Sequence, residues 1–137
     1  MARTILAVLA GAVVMWLTMF ALEFAGQAMF PPPAALDPTD QAQLGQLVAV
    51  MPAGALAMLV VAWLAGAFTG GYTAARISRR HKRGAAIAVA LLVMAGVVGM
   101  IYLVPEHPVW VTALGLFLPI PVAVWAARLG NAPGTPG

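Results

Sequence analysis

Four uncharged apolar stretches, residues 5–22, 53–75, 85–104 and 109–127, constrain this chain more than any other feature. Each has 18 to 23 residues, and a helix needs roughly 20 to cross a hydrocarbon core about 30 Å thick. Inside that core every backbone N–H and C=O must be satisfied by the chain itself, so a spanning segment is a helix or a strand of a closed barrel. Barrel strands alternate in polarity over about ten residues, whereas these stretches are apolar on every side. The chain is therefore expected to be all-α, an integral membrane bundle of four transmembrane helices forming one domain over residues 1–137.

Composition agrees. Charged residues make up 8% of the chain, against about a quarter in soluble domains, which excludes a soluble enzyme. With no cysteine, disulfides, thiolate catalysis, iron–sulfur clusters and cysteine zinc sites are impossible, and no cofactor is expected. Charge placement sets the orientation. With four spans, Arg3, the group Arg76, Arg79, Arg80, Lys82 and Arg83, and Arg128 all fall on one side of the bilayer. Glu23, Asp37, Asp40 and Glu106 fall toward the other. The positive-inside rule makes the basic side cytoplasmic, with both termini inside. The net charge of +3 also invites a nucleic-acid reading, but topology accounts for the basic turn. Nucleic acid is not expected as a partner; anionic lipid headgroups are.

The first helix is expected over about residues 5–28, ending before Pro31-Pro32-Pro33. Arg3 and the apolar run also resemble a secretory signal with a cleavage site at Gly26-Gln27-Ala28. The run exceeds the roughly 7 to 15 residues of a signal core, so a retained helix is the better fit. An outer loop follows over about residues 30–51. There Asp37, Pro38 and Asp40 form a helix-start pattern of cap, proline and first-turn carboxylate. Leu44, Leu47, Val48 and Met51 recur at helical spacing opposite Gln41, Gln43 and Gln46. That pattern predicts a short amphipathic helix on the outer surface, which lids the bundle, rests on headgroups or meets a partner.

The second span, about residues 52–76, carries Ala62, Gly66, Gly70 and Ala74 at intervals of four, a ridge along which another helix can approach closely. Packing within the chain is the plainer use of that ridge; a second copy or another membrane protein is the alternative. A basic cytoplasmic turn over about residues 76–84 leads to the third span, about 85–104, where Ala95, Gly96 and Gly99 offer a second small face. An outer turn at 105–108 makes spans three and four an antiparallel hairpin. The fourth span, about 109–128, contains Pro119 and Pro121, which deprive the carbonyls of Gly115 and Phe117 of donors and predict a kink. The tail 129–137 is expected to be disordered. Trp110 and Trp125 suit interfacial belts, leaving Trp16 and Trp63 buried or lipid-facing.

Chemistry is sparse. Thr18, Glu23, Gln27, Thr69, Tyr72, Thr73 and Thr112 are the main polar groups in the spans, and none falls into a catalytic or metal-binding motif. No enzyme activity is expected. Glu23 stands out, because an ionisable group on a membrane helix is a functional candidate by default. Twenty residues beyond Arg3, or about 30 Å at 1.5 Å per residue, it reaches the outer boundary. Gln27 lies one turn further on the same face, and His107 sits at the same level between spans three and four. A cluster of Glu23, Gln27 and His107 at the outer mouth could bind a cation or relay a proton; the plainer alternative is an interfacial anchor.

The order Glu23, Phe30-Pro31-Pro32-Pro33, Leu36-Asp37, Met51-Pro52-Ala53-Gly54-Ala55, then Ala62-Trp63-Leu64-Ala65-Gly66-Ala67-Phe68-Thr69-Gly70-Gly71 and Ala74-Ala75-Arg76 resembles a group of small four-helix bacterial inner-membrane proteins without an assigned function. The resemblance covers most of the chain and implies fold and location, with no catalytic or binding residue. Small multidrug transporters also carry a glutamate in their first helix, but deep in the membrane. Fluoride channels use a transmembrane asparagine, whereas the only asparagine here is Asn131 in the tail. The leading expectation is a non-enzymatic accessory or structural bundle. The alternatives are a small transporter or channel subunit using Glu23 and the kinked fourth span, and a lipid- or quinone-binding protein. Transport requires a continuous polar route past Glu23; a structural role requires a packed core.

Overall fold

The computed structural model describes residues 2–31, 40–78, 80–105 and 107–130. Six helices account for nearly all of them: α1 (Ala2–Met29), α2 (Gln41–Val50), α3 (Ala53–Ile77), α4 (Lys82–Leu103), α5 (Val109–Phe117) and α6 (Pro119–Gly130). Among the described residues there is no strand. α1, α3, α4 and the α5–α6 pair are long and apolar enough to cross a membrane, the mark of a multi-pass membrane protein.

Local chemistry explains most of the boundaries. The cap of α2 is Asp40, which corrects the expectation that placed it at Asp37; Asp37 and Pro38 lie outside the described residues. The Asp40 carboxylate accepts from the backbone N–H of Ala42 at 3.0 Å and from the Gln43 amide at 3.0 Å, satisfying one of the donors that a helix start leaves open. Pro52 precedes α3 and Pro108 precedes α5, each in extended conformation where its missing N–H costs nothing. The fourth span breaks at Leu118. The bonds Leu118 N–H to Leu114 C=O and Val122 N–H to Leu118 C=O persist on either side, while Pro119 and Pro121 have no N–H to offer Gly115 and Phe117. The Thr112 hydroxyl makes no hydrogen bond to those carbonyls. Leu129 and Gly130 are helical, so the expected disordered tail begins too early; residues 131–137 lie outside the described set.

α3 and α4 form the centre. α1 packs chiefly on α3 and more lightly on α4, and the α5–α6 pair packs on both α3 and α4 without touching α1. The four spans thus make a diamond with α3 and α4 on its short diagonal. The ridge Ala62, Gly66, Gly70 and Ala74 is wholly buried, and from Gly66 onward it faces α1. A methyl added at Gly70 would lie 2.6 Å from the Gly11 carbonyl oxygen, and one added at Gly11 would lie 2.6 Å from the Gly70 carbonyl oxygen. The two backbones are in contact there, with Val89 of α4 closing the third side. Gly71 makes a similar close approach to Ala123 of α6, and Gly115 leaves room for the buried Trp63 ring. The second small face behaves differently: methyls at Gly96 and Gly99 would meet nothing within 4 Å.

Polar groups tie the α1–α3 pair. The Thr18 and Thr69 hydroxyls lie 2.8 Å apart between the helices; whichever donates across the pair, the other donates to a carbonyl of its own helix, Val14 for Thr18 or Ala65 for Thr69. Arg3 Nε donates to the Ile77 carbonyl at 2.8 Å, covering the negative end of α3. The buried Ser78 hydroxyl accepts from His81 N–H at 3.2 Å and faces the Thr4 hydroxyl at 3.5 Å.

These contacts yield a paired expectation. Gly70→Ala forces backbone apart and lowers stability by about 1–3 kcal/mol. Gly96→Ala, with open space around it, is neutral or stabilising by up to about 1 kcal/mol through helix propensity. Unfolding titrations in mixed micelles with sodium dodecyl sulfate measure both; equal effects would show that the α1–α3 contact is not what holds the bundle.

Candidate functional site

The close contact between α1 and α3 lies toward the end of the bundle that carries Arg3 and the basic turn. In that half α1 also reaches α4, where Val8 and Met15 pack on Ala74, Ala85 and Val89. In the other half α1 and α4 face one another across a gap. α3 floors it, and side chains of α2 border it.

The gap is a cavity of about 220 Å³, open on one side. α1 contributes Leu22, Glu23, Gly26 and Gln27, with Phe30 just past its end; α3 contributes Ala55, Met58 and Leu59. Met100 and Val104 close the α4 side, and Leu47, Val48 and Met51 come from α2 and its C-terminus. Leu47 and Val48 of α2 are buried and border the cavity; the side chain of Leu44 lies outside the described set. Two glycines shape the space. Gly54 accommodates the Phe30 ring, since a methyl there would lie 2.7 Å from it, and Gly26 keeps the α1 wall flat, its nearest neighbour being Met58 at 3.5 Å.

The three residues anticipated as an outer cluster all border this one cavity. Glu23 and His107 are half-buried and Gln27 is exposed. Among the described residues the Glu23 carboxyl makes no hydrogen bond and no ion pair, with His107 or any other group. His107 is partly committed: its Nδ1 lies 2.8 Å from the Val104 carbonyl oxygen at the end of α4. A carbonyl can only accept, so Nδ1 carries the proton and Nε2 of the neutral ring holds a lone pair. Among the described residues no three His, Cys, Asp or Glu side chains come together as a metal-binding group.

Away from the cavity several described helix pairs meet closely. Gly66 packs on Met15 and Met19, Gly70 on Gly11, and Gly115 on Trp63, and the buried side chains of that core are apolar. The Thr18–Thr69 pair is the polar contact at that depth, and its hydroxyls are spent on each other and on helix carbonyls. At the basic end Arg76, Arg80 and Arg83 are exposed and Lys82 half-buried, while Arg79 lies outside the described residues. The Arg76 guanidinium stands 6.0 Å from the centre of the Tyr72 ring, at the outer limit of a cation–π contact. Of the tryptophans, Trp63 is buried, whereas Trp16, stacked on Phe20, and Trp125, edge-on to Phe68, are exposed.

Sequence reasoning missed the apolar walls. Phe30, Met58 and Met100 give no periodic signal distinct from ordinary span residues, and Gly11, the partner of Gly70, was hidden because a lone glycine has no repeat around it. No protein-family profile, curated protein or solved structure matches this chain.

Gly26→Leu directs its side chain toward the cavity, with Met58 Cβ 3.5 Å from the added Cβ. The variant is expected to unfold within about 1 kcal/mol of the parent, helped by the better helix propensity of leucine. A loss well beyond that in the same titration would mean that the space between α1 and α4 at this level does not admit the side chain.

Proposed function

We propose that this chain is a non-enzymatic bacterial inner-membrane protein that holds an amphipathic molecule in the outer half of its bundle. Both termini and the basic turn face the cytoplasm, where Arg76, Arg79, Arg80, Lys82 and Arg83 meet anionic headgroups. Bacterial origin rests on the resemblance in segment order described above. The lipid- or quinone-binding alternative of the sequence analysis is thereby preferred over a purely structural bundle.

One observation carries the proposal: the cavity is walled mainly by Leu22, Phe30, Met58, Leu59, Met100 and Val104, with its polar groups confined to Glu23, Gln27 and His107. Apolar walls with a few convergent polar groups are the usual form of a small-molecule site. A purely structural bundle gains nothing from a gap, because an unfilled cavity forfeits packing energy in lipid as in water. Transport is less well supported, because the packing of Gly66, Gly70 and Gly115 leaves no polar route onward from Glu23.

The absence of cysteine makes the test direct, since one introduced thiol is the only one present. In nanodiscs, Met58→Cys should react with N-ethylmaleimide, and ten-carbon amphiphiles should slow that reaction. Leu91→Cys, on an exposed face of α4, should be unaffected. Ala55→Cys serves as a second cavity position. Unchanged rates at both cavity positions with decanol, decylamine and decanoate alike would remove the ligand-holding reading. Vesicles containing the protein are expected to show no proton leak above protein-free vesicles; a leak abolished by Glu23→Gln would return transport to first place.

A further inference from the structure

We propose that the ligand class of this cavity is a primary-amine amphiphile, an ammonium head on a single slender chain. This rests on the ligand-holding reading above and specifies its chemistry. Among the described residues the mouth is poorer in donors than in acceptors. Its polar groups are a carboxyl that makes no hydrogen bond, an imidazole whose N–H is spent on the Val104 carbonyl, and a side-chain amide. No lysine or arginine lines the cavity; the described cations lie on α1, α3, α4 and α6 at the other end of the bundle. The Glu23 carboxyl, the amide oxygen of Gln27 and, in the neutral ring, Nε2 of His107 are acceptors bordering apolar walls, and the exposed Gln27 amide adds the donors of its own NH2 group. Acceptors left bare in such surroundings are costly, and the deficit is in donors.

An ammonium group supplies three N–H donors and a positive charge, opposite in sign to a carboxylate and suited to acceptors. A carboxylate head, or a phosphate with no ammonium beside it, would add acceptors where there is already a surplus and set like charges together. A quaternary ammonium would bring the charge without the N–H groups, and an alcohol one donor without the charge.

Size limits the rest of the molecule. A dry cavity of about 150 Å³ is known to accept one benzene ring. At 220 Å³ this one takes the head and the first carbons of one chain, not two acyl chains. From the level of Gln27 to that of Leu22 the α1 wall spans about 7.5 Å at 1.5 Å per residue, with Gln27 toward the helix end and Glu23 one residue from Leu22. The chain then continues through the open side. Gly96 lies seven residues from Val89 and four from Met100, on the face of α4 that carries both, and it is exposed with nothing within 4 Å of an added methyl. That spot on the α4 surface is thus unfilled.

The thiol-protection measurement, with the full-length protein in nanodiscs and amphiphiles dosed per lipid, ranks the classes. Leu91→Cys corrects for unequal partitioning. Decylamine should protect Met58→Cys at about a tenfold lower dose than decanol or decyltrimethylammonium, with decanoate the weakest. Glu23→Gln, close to isosteric, should erase the advantage of decylamine and leave decanol unchanged. Two further arms separate sources of the same head: lysophosphatidylethanolamine protecting where lysophosphatidylcholine does not identifies a membrane lipid headgroup, and protection by decylamine alone identifies a free amine. Decanol or decanoate matching decylamine, or an advantage that survives Glu23→Gln, would overturn the amine assignment while leaving the cavity a ligand site. Failure of every amphiphile would overturn both.

Discussion

The backbone contact between Gly11 and Gly70 governs the rest of this bundle. In a bilayer, lipid tails solvate leucine as well as another helix does, so helices associate through dispersion, weak backbone contacts and hydrogen bonds that lipid cannot supply. Two glycines that each place a carbonyl oxygen where the other's side chain would be let α1 approach α3 as closely as backbones allow. Neighbouring Ala74 and Val89 fill the remaining space, which draws α4 into the same junction. A bundle pinned so tightly at one level must adjust elsewhere. Toward the other end the α1 residues facing α3 enlarge from Gly11 to Met15 and Met19, and α1 and α4 part.

Polar groups reinforce that asymmetry. At the basic end Arg3 covers the last carbonyls of α3, and Thr4, Ser78 and His81 link the chain start to the turn. Midway, Thr18 and Thr69 join the two helices while one of them stays bonded to its own backbone, so neither hydroxyl is left bare in an apolar layer. Beyond them no side-chain hydrogen bond joins α1 to its neighbours among the described residues. Glu23 and Gln27 sit there, bordering the cavity with Leu47 and Val48 of α2. Polar groups that would elsewhere cross-link helices here line a space.

The two prolines of the fourth span belong to a different economy. They interrupt one helix at Leu118, next to the buried Pro119 and on the side of the diamond away from α1. The cavity receives nothing from α5 or α6. The break therefore shapes how the fourth span wraps α3, where Gly71 meets Ala123 and Gly115 meets Trp63, and does not build the site. A broken helix and an ionisable residue in one small membrane chain invite a joint explanation. Here they are spatially separate.

Span number, span limits within a few residues, the amphipathic pattern of residues 41–50 and the grouping of basic residues were all legible in the sequence. They follow from rules that act along the chain: twenty apolar residues match a bilayer, prolines start and interrupt helices, and 3.6-residue periodicity exposes a face. The level shared by Glu23, Gln27 and His107 was legible for the same reason, because helical rise converts residue count into depth. Local chemistry at the ends was harder: Asp40 caps α2 although Asp37 with Pro38 carried the stronger pattern. What the tertiary structure alone decided was lateral. Whether the ridge on α3 met α1 or another molecule, whether Gly96 and Gly99 found a neighbour, and whether Glu23 faced lipid or a cavity depended on the order of helices around the axis. Hydropathy is blind to that order, because in lipid every face of an apolar helix is equally well solvated, and only the shapes of residues such as Gly11 and Gly70, far apart in the chain, choose between arrangements.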